Sequence, residues 1–338
     1  MNTERETILR IVRTMPPSAK HVNEVFHSDS EILDIGDRRY LFSIDSFSEE
    51  DHFRTDQPYL LGRNLCACTM SDLLASGGTL VFFAHSITMP EAWDLEYIGM
   101  LSEGIADAMT TCRGFFAGGD IGSSSQWNFT GVAFGEAARI VTREGAHAGD
   151  LLYLSGPVGA GNFEAASGLC AQKPELSTLF NNNRVEFPLR IAESQLMSKY
   201  ASACIDTSDG LLNGLMMLSD INAIGFQVTS IPYFSPGVTL TQFLGLPVEI
   251  LMAGECGEYE LLFTVPPERE TAMLREAQEQ QLTLYQIGRM TERGDASIMS
   301  TNRRIDVGDF AFSARAYSDH GEYVGVLTKY LMDKLARA

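Results

Sequence analysis

The stretch Cys204-Ile205-Asp206-Thr207-Ser208-Asp209-Gly210-Leu211 sets two carboxylates, hydroxyls and a glycine between two apolar segments. Ala201, Ala203 and Ile205 before it read as the end of a buried strand. Leu211, Leu212, Leu215, Met216 and Leu218 after it fall at helical spacing. Ser208 or Asp209 suits the helix N-cap, and the free N–H groups of a first helical turn favour an anionic ligand. A well-capped strand–turn–helix junction accounts for this stretch in isolation. Its weight comes from the recurrence of acidic turns elsewhere in the chain, because carboxylates gathered in one place need a cation or a proton between them.

Outward from this stretch, the chain alternates short apolar strands with amphipathic helices. A helix is expected over Thr3–Met15, with strands at Val25–Leu33, interrupted by His27-Ser28-Asp29-Ser30-Glu31, and at Tyr40–Phe47. The second strand runs into Asp45-Ser46-Phe47-Ser48-Glu49-Glu50-Asp51-His52-Phe53, which sets acids and a histidine on a strand exit. Asn64–Ser76 reads as a helix rich in small residues with Asp72 at its middle, among neighbours too apolar for an exposed face. A strand at Leu80–Met89 and a helix at Asp94–Cys112 precede Phe115-Phe116-Ala117-Gly118-Gly119-Asp120, a strand ending in glycines and an acid. After a strand at Asn128–Glu136, turns from Thr142 to Asp150 mark a join, which divides the chain into 1–148 and 149–338.

In the second half, strands are expected at Leu151–Ser155, Gly225–Thr229, Val248–Met252, Tyr259–Val265 and Leu284–Ile287. Helices are expected up to Leu169, at Leu189–Lys199 and at Glu268–Gln280, with Lys173–Pro188 as an exposed loop with room for one helical turn. Alternation in both halves points to two α/β domains. Gly156, Gly159 and Gly161 open a helix, but in the order G-x-x-G-x-G, which suits a packing turn better than a dinucleotide loop. The phosphate-binding G-x-x-x-x-G-K-[ST] and the G-x-S-x-G nucleophile elbow are both missing from the chain.

With 338 residues, 45% of them hydrophobic and 20% charged, the composition is that of a globular protein of two ordinary domains. The net charge of −19 disfavours nucleic acid and anionic membranes as partners. Six scattered cysteines show no paired C-x-x-C spacing, so zinc is disfavoured and reduced thiols in the cytoplasm are the simplest account. No signal-peptide core or membrane-length apolar run is found, and a soluble, intracellular protein is expected. The strands over Val25–Phe47 and Leu80–Met89 carry more apolar positions than one small domain hides, which predicts a homodimer.

Six blocks in order carry a family resemblance: Asp45, Glu49, His52 and Phe53; Ser71 and Asp72; Gly118-Gly119-Asp120; Arg143, Gly145, Ala146, Gly149 and Asp150; Ile205–Leu211; and Glu258–Thr264. With these blocks the chain resembles the AIR synthase-related (PurM-like) family of ATP-dependent enzymes, and within it the branch that phosphorylates thiamine monophosphate. The resemblance implies a two-domain α/β (α+β) fold, with N-terminal domains joining strands into a dimeric β-barrel and a separate C-terminal α/β domain. It also implies ATP and several Mg2+ ions in a cleft between the domains. Asp29, Asp45, Asp72, Asp120, Asp206 and Asp209 are the implied metal ligands. Gly118, Gly119, Asp120, Arg143 and Ser208 fall to the nucleotide, and Asp45, His52 and Asp209 to catalysis. The chain departs from the family at His27-Ser28-Asp29, where one carboxylate is replaced, and at Glu255-Cys256-Gly257-Glu258. Two alternatives accompany the kinase reading: ATP-dependent activation of an amide or carbamoyl oxygen on the same fold, and a nucleotide-binding paralogue without turnover.

Overall fold

The computed structural model of the protein describes residues 4–300 and 303–337. Its first part comprises α1 (Glu4–Thr14), β1 (Glu31–Ile35), β2 (Arg38–Ser48), α2 (Pro58–Ala75), β3 (Thr79–Met89), α3 (Leu95–Thr111), β4 (Phe115–Ser123) and β5 (Asn128–Glu136). Then follow β6 (Leu151–Leu154), α4 (Ala160–Leu169), α5 (Ser177–Asn182), α6 (Ile191–Tyr200), β7 (Ala203–Asp206) and α7 (Leu211–Asn222). The chain continues through β8 (Gly225–Val228), α8 (Ser235–Leu244), α9 (Ile250–Ala253), β9 (Leu261–Val265) and α10 (Pro267–Glu279). It closes with β10 (Tyr285–Thr291), β11 (Ala296–Ser300), β12 (Arg303–Asp306) and α11 (His320–Arg337). Thr3, where the opening helix was expected to begin, lies outside the described residues.

The first sheet has the order β1-β2-β5-β3-β4, with only β3 and β4 parallel. Period-two alternation turns Leu41, Phe47, Phe83, Phe129 and Ala133 toward α2, where they join Leu65, Met70 and Leu73 in one core. Helix α2 is buried along most of its length, which is why small residues fill it. Its backbone nearly touches α3: a Cβ on Gly62 would stand 2.0 Å from the Leu101 carbonyl oxygen, and one on Gly104 1.9 Å from that of Tyr59. On the other face the Tyr40, Phe134 and Phe82 rings stack in a row, with centroids 5.0 and 4.9 Å apart. The sheet is open, with β1 and β4 as edges, and forms no closed barrel within the described chain.

The second sheet has the order β12-β11-β8-β10-β6-β9-β7, with only β8 and β11 parallel. Both of its faces are covered. Leu152, Leu154, Ile205 and Leu262 pack with α7 and α11, while Tyr153, Cys204, Leu261 and Phe263 pack with α6 and α10. Burial on both sides gives β7 and β9 their largely apolar character, broken by Asp206 and Thr264. The neighbours are mostly antiparallel, so the mixed two-domain fold is of the α+β kind.

Three local expectations are corrected. Residues 25–30 form turns and bends rather than strand, with Phe26 at φ 72°. Ile250–Ala253 is a helical turn, not a strand. Residues 173–188 are not an exposed loop: Leu176, Phe180, Val185 and Phe187 are buried against the N-terminal core. Arg54 pairs there with Glu164 and donates to the Phe180 carbonyl at 3.1 Å, and Asn64 donates to that of Val185 at 2.9 Å.

Candidate active site

Carboxylates from three separate segments meet where the two domains touch. Asp29 lies in the turns before β1, Asp72 in the body of α2 and Asp206 at the end of β7. One oxygen from each lies within 4.8 Å of the others, and they are the one such metal-competent group among the described residues. Like charges at that spacing in a buried setting cannot all stay ionised without a counter-charge. Burial, reinforced by the charge of Asp206, pushes the Asp29 carboxyl up to about 7 despite the opposing Arg143. Burial and then Asp206 likewise push Asp45 up to about 7. Asp72 is raised well above the carboxylate range by burial and then by Asp45 and Asp206.

Each acid is oriented by neighbours. Ser43 donates to Asp72 at 2.8 Å, and the Ser71 hydroxyl donates to Asp206 across the domain boundary. The Ser208 hydroxyl donates to Asp206 at 2.7 Å. Arg143 grips Asp29 through Nε at 3.0 Å and through Nη2, and its Nη1 donates to the Phe26 carbonyl at 3.3 Å. The sequence singled out Ser71 and Ser208 but missed Ser43. Ser43 stands two residues before Asp45, so strand alternation puts both on the α2 face of β2, which is the signal that could have found it.

The remaining site residues stand as follows. Asp209 is exposed at the entry to α7. Neither it nor Ser208 caps that helix: the N-cap is Gly210, at φ 82° and with no side-chain cap. The N–H groups of the first turn are thus not taken up by a capping side chain. His52 is stacked on Phe53 at 4.7 Å and meets Phe187 edge-on at 5.5 Å. Burial lowers its pKa to about 4, so the ring is neutral, and its Nε2 has no partner among the described residues. Gly118, Gly119 and Asp120 lie inside β4 rather than in a turn after it. Gly119 lets β4 approach β3, since a Cβ there would stand 2.3 Å from the His85 carbonyl oxygen. Asp120 is exposed on that edge strand and is not in the carboxylate group.

Three carboxylates and converging hydroxyls form a hard, oxygen-only donor set of the kind magnesium accepts together with water and phosphate oxygens. The first turn of α7 beside it offers N–H groups to an anion. No helix among the described residues is long and apolar enough to cross a membrane.

Residues 27–137 match the model of the AIR synthase related protein N-terminal domain, and residues 147–300 match that of the C-terminal domain. The thiamine-monophosphate kinase of Leptospira interrogans is 30% identical over 242 residues, covering 68% of this chain and 75% of that protein. That of Aquifex aeolicus is 26% identical over 286 residues, covering 80% and 87%. Among solved structures, AaThiL complexed with AMPPCP and TMP superposes with a TM-score of 0.73 at 25% identity, over 89% of this chain and 94% of that one. The hydrogenase maturation protein HypE of E. coli shares the fold, with a TM-score of 0.66 at 16% identity over 90% and 97%. The two family models follow one another along the chain on either side of the Arg143 segment, and the kinases align across both. The chain belongs to the AIR synthase-related family, in its thiamine-monophosphate kinase branch.

Proposed function

We propose that this protein is an ATP- and magnesium-dependent kinase that converts thiamine monophosphate and ATP to thiamine diphosphate and ADP. The observation that carries this reading is the meeting of Asp29, Asp72 and Asp206 within 4.8 Å of one another at the domain boundary. Asp29, Asp72 and Asp206, with Asp45 and Asp209 beside them, would hold magnesium. When bound, the metal neutralises charge on the transferring phosphoryl group. Ser43, Ser71 and Ser208 fix the carboxylates, and the first turn of α7 supplies N–H groups to phosphate oxygens. Arg143 serves the nucleotide indirectly here, by holding Asp29. His52, neutral and packed among aromatic rings, acts as an apolar wall on the acceptor side. Transfer in this family needs positioning and charge more than covalent chemistry, and the residues named supply both.

The division of the chain at 148 and the homodimer belong to the same reading. The stacked row of Tyr40, Phe134 and Phe82, with Ile44 56% and Phe115 58% exposed on the same face, is more apolar surface than a monomer usually leaves open. A second copy joining at the β4 edge would cover it and complete a shared barrel, and would bring Gly118, Gly119 and Asp120 to the interface. Light scattering at micromolar concentration checks the dimer; a monomer there rejects the barrel. For the reaction, purified protein with ATP and magnesium should release ADP and form thiamine diphosphate when thiamine monophosphate is added. ADP release only with an amide or carbamoyl substrate, or nucleotide binding without ADP release, rejects the kinase assignment.

A further inference from the structure

The Asp206–Gly210 turn is gripped from behind by residues 254–260. Gly257 N–H donates to the Ser208 carbonyl at 3.0 Å, and Thr207 N–H to that of Glu260 at 2.9 Å. Glu260 N–H in turn donates to the Thr207 hydroxyl oxygen at 3.0 Å. The approach leaves no room for side chains. A Cβ on Gly257 would stand 1.7 Å from the Thr207 carbonyl oxygen, and one on Gly210 2.2 Å from that of Gly254. Within this strap Tyr259 is held at φ 59°, a conformation a bulky residue keeps only where its surroundings impose it.

Glu258 ties the strap down from the other side. The residue is 1% exposed, and one carboxyl oxygen accepts the N–H of Gly159, the N-cap of α4, at 2.7 Å. Its other oxygen, Oε1, is buried without a hydrogen-bond partner among the described residues, and the Thr207 hydroxyl lies beside the carboxyl. Burial pushes this carboxyl up to about 8, so it is neutral in the resting protein. A buried carboxyl with one good hydrogen bond is a costly filler, since an apolar side chain of similar size would lack the desolvation penalty. It does, however, tie the strap to α4. The turn it braces carries Asp206 and Asp209 toward other carboxylates, whose mutual repulsion favours opening the turn.

We propose that Glu258 is a positioning residue for the cation site: by anchoring the 254–260 strap to α4, it holds the Asp206–Asp209 turn at the spacing that magnesium requires. The inference rests on the metal reading of the carboxylate group. Manganese, followed by electron paramagnetic resonance in the full-length protein without nucleotide, probes the site independently of any acceptor. Glu258→Ala removes the tie and should weaken manganese binding about tenfold, the scale on which removal of a group supporting metal ligands acts. The magnesium concentration for half-maximal ADP formation should rise in proportion, with the KM for thiamine monophosphate little changed. Glu258→Gln keeps an oxygen for the Gly159 N–H and should restore most of the affinity. A Glu258→Ala protein that melts earlier yet binds manganese like the parent overturns the proposal and leaves Glu258 a structural residue. Should Glu258→Ala fail to fold, Glu258→Asp and Gly257→Ala carry the test: weaker manganese binding in both supports the proposal, and unchanged binding in both overturns it. A parent protein that binds no manganese overturns the cation site itself, a failure distinct from that of Glu258.

Discussion

The two sheets of this protein solve the same burial problem differently. The second is covered on both faces, and β7 and β9 are buried at every position. The first is covered on one face only, and β2 alternates between buried and open positions. A doubly covered sheet is stable by itself, whereas a singly covered apolar sheet calls for a partner. The carboxylate group lies where these two kinds of sheet are joined through α2. That helix is the shared element: its middle packs under the first sheet, while Leu74 and Ala75 at its end pack against the second.

The comparison is broken most directly in the cores. Phe263, fully buried in the second sheet, should lose about 3–5 kcal/mol on replacement by alanine. Phe82, on the open face of the first sheet, should lose under about 1 kcal/mol where the protein is monomeric. Urea unfolding across a range of protein concentrations reads both, and equal losses under monomeric conditions would abolish the distinction. At the join itself, Asp209→Asn should lower turnover about thirtyfold, or about 2 kcal/mol of transition-state stabilisation, if its charge serves the metals. Because the N-cap of α7 is Gly210 and asparagine keeps the size of aspartate, the melting temperature without ligand should stay near the parent's. The rise in melting temperature with magnesium and ATP should shrink, since linkage stabilisation follows affinity.

The join should also be visible in the pH dependence of stability. Asp29 and Asp45 are raised from 3.8 to about 7, so the folded state keeps their protons after the unfolded chain has released them. Their contribution is therefore full below the unfolded pKa and is lost as pH rises from about 4 through about 7. Without magnesium, the Asp45→Asn protein should lose less stability across that window than the parent. Magnesium should reduce the difference, because a cation favours the ionised carboxylates; identical slopes in both proteins would contradict this. The smallest effect is expected at the rim of the first sheet. Arg39 and Asp34 pair at 3.1 Å with both side chains well exposed, and Arg39→Ala should change unfolding stability by no more than about 0.5 kcal/mol.

By itself the sequence determined much of the local order. The strand–turn–helix at Ala203–Asn222, the buried acid of α2 and β5 at Asn128–Glu136 were all legible from apolar periodicity. So was the family, because six short blocks in a fixed order are specific where each alone is not. Periodicity, however, is a local signal. It misread Val248–Met252 because a single buried turn and a short buried strand have the same apolar content. It missed the burial of residues 173–188 because their partners lie on the other domain. Local pattern found Asp72 and Asp206 one by one, each as an acid in an apolar or turn-rich setting, while Asp29 came only with the family resemblance. That these three meet, that Ser43 and Ser71 orient them, and that Arg143 is occupied by Asp29 followed only from the tertiary structure. Packing α2 between two cores brings distant segments together, and the pKa of each acid depends on that meeting rather than on its neighbours in the chain.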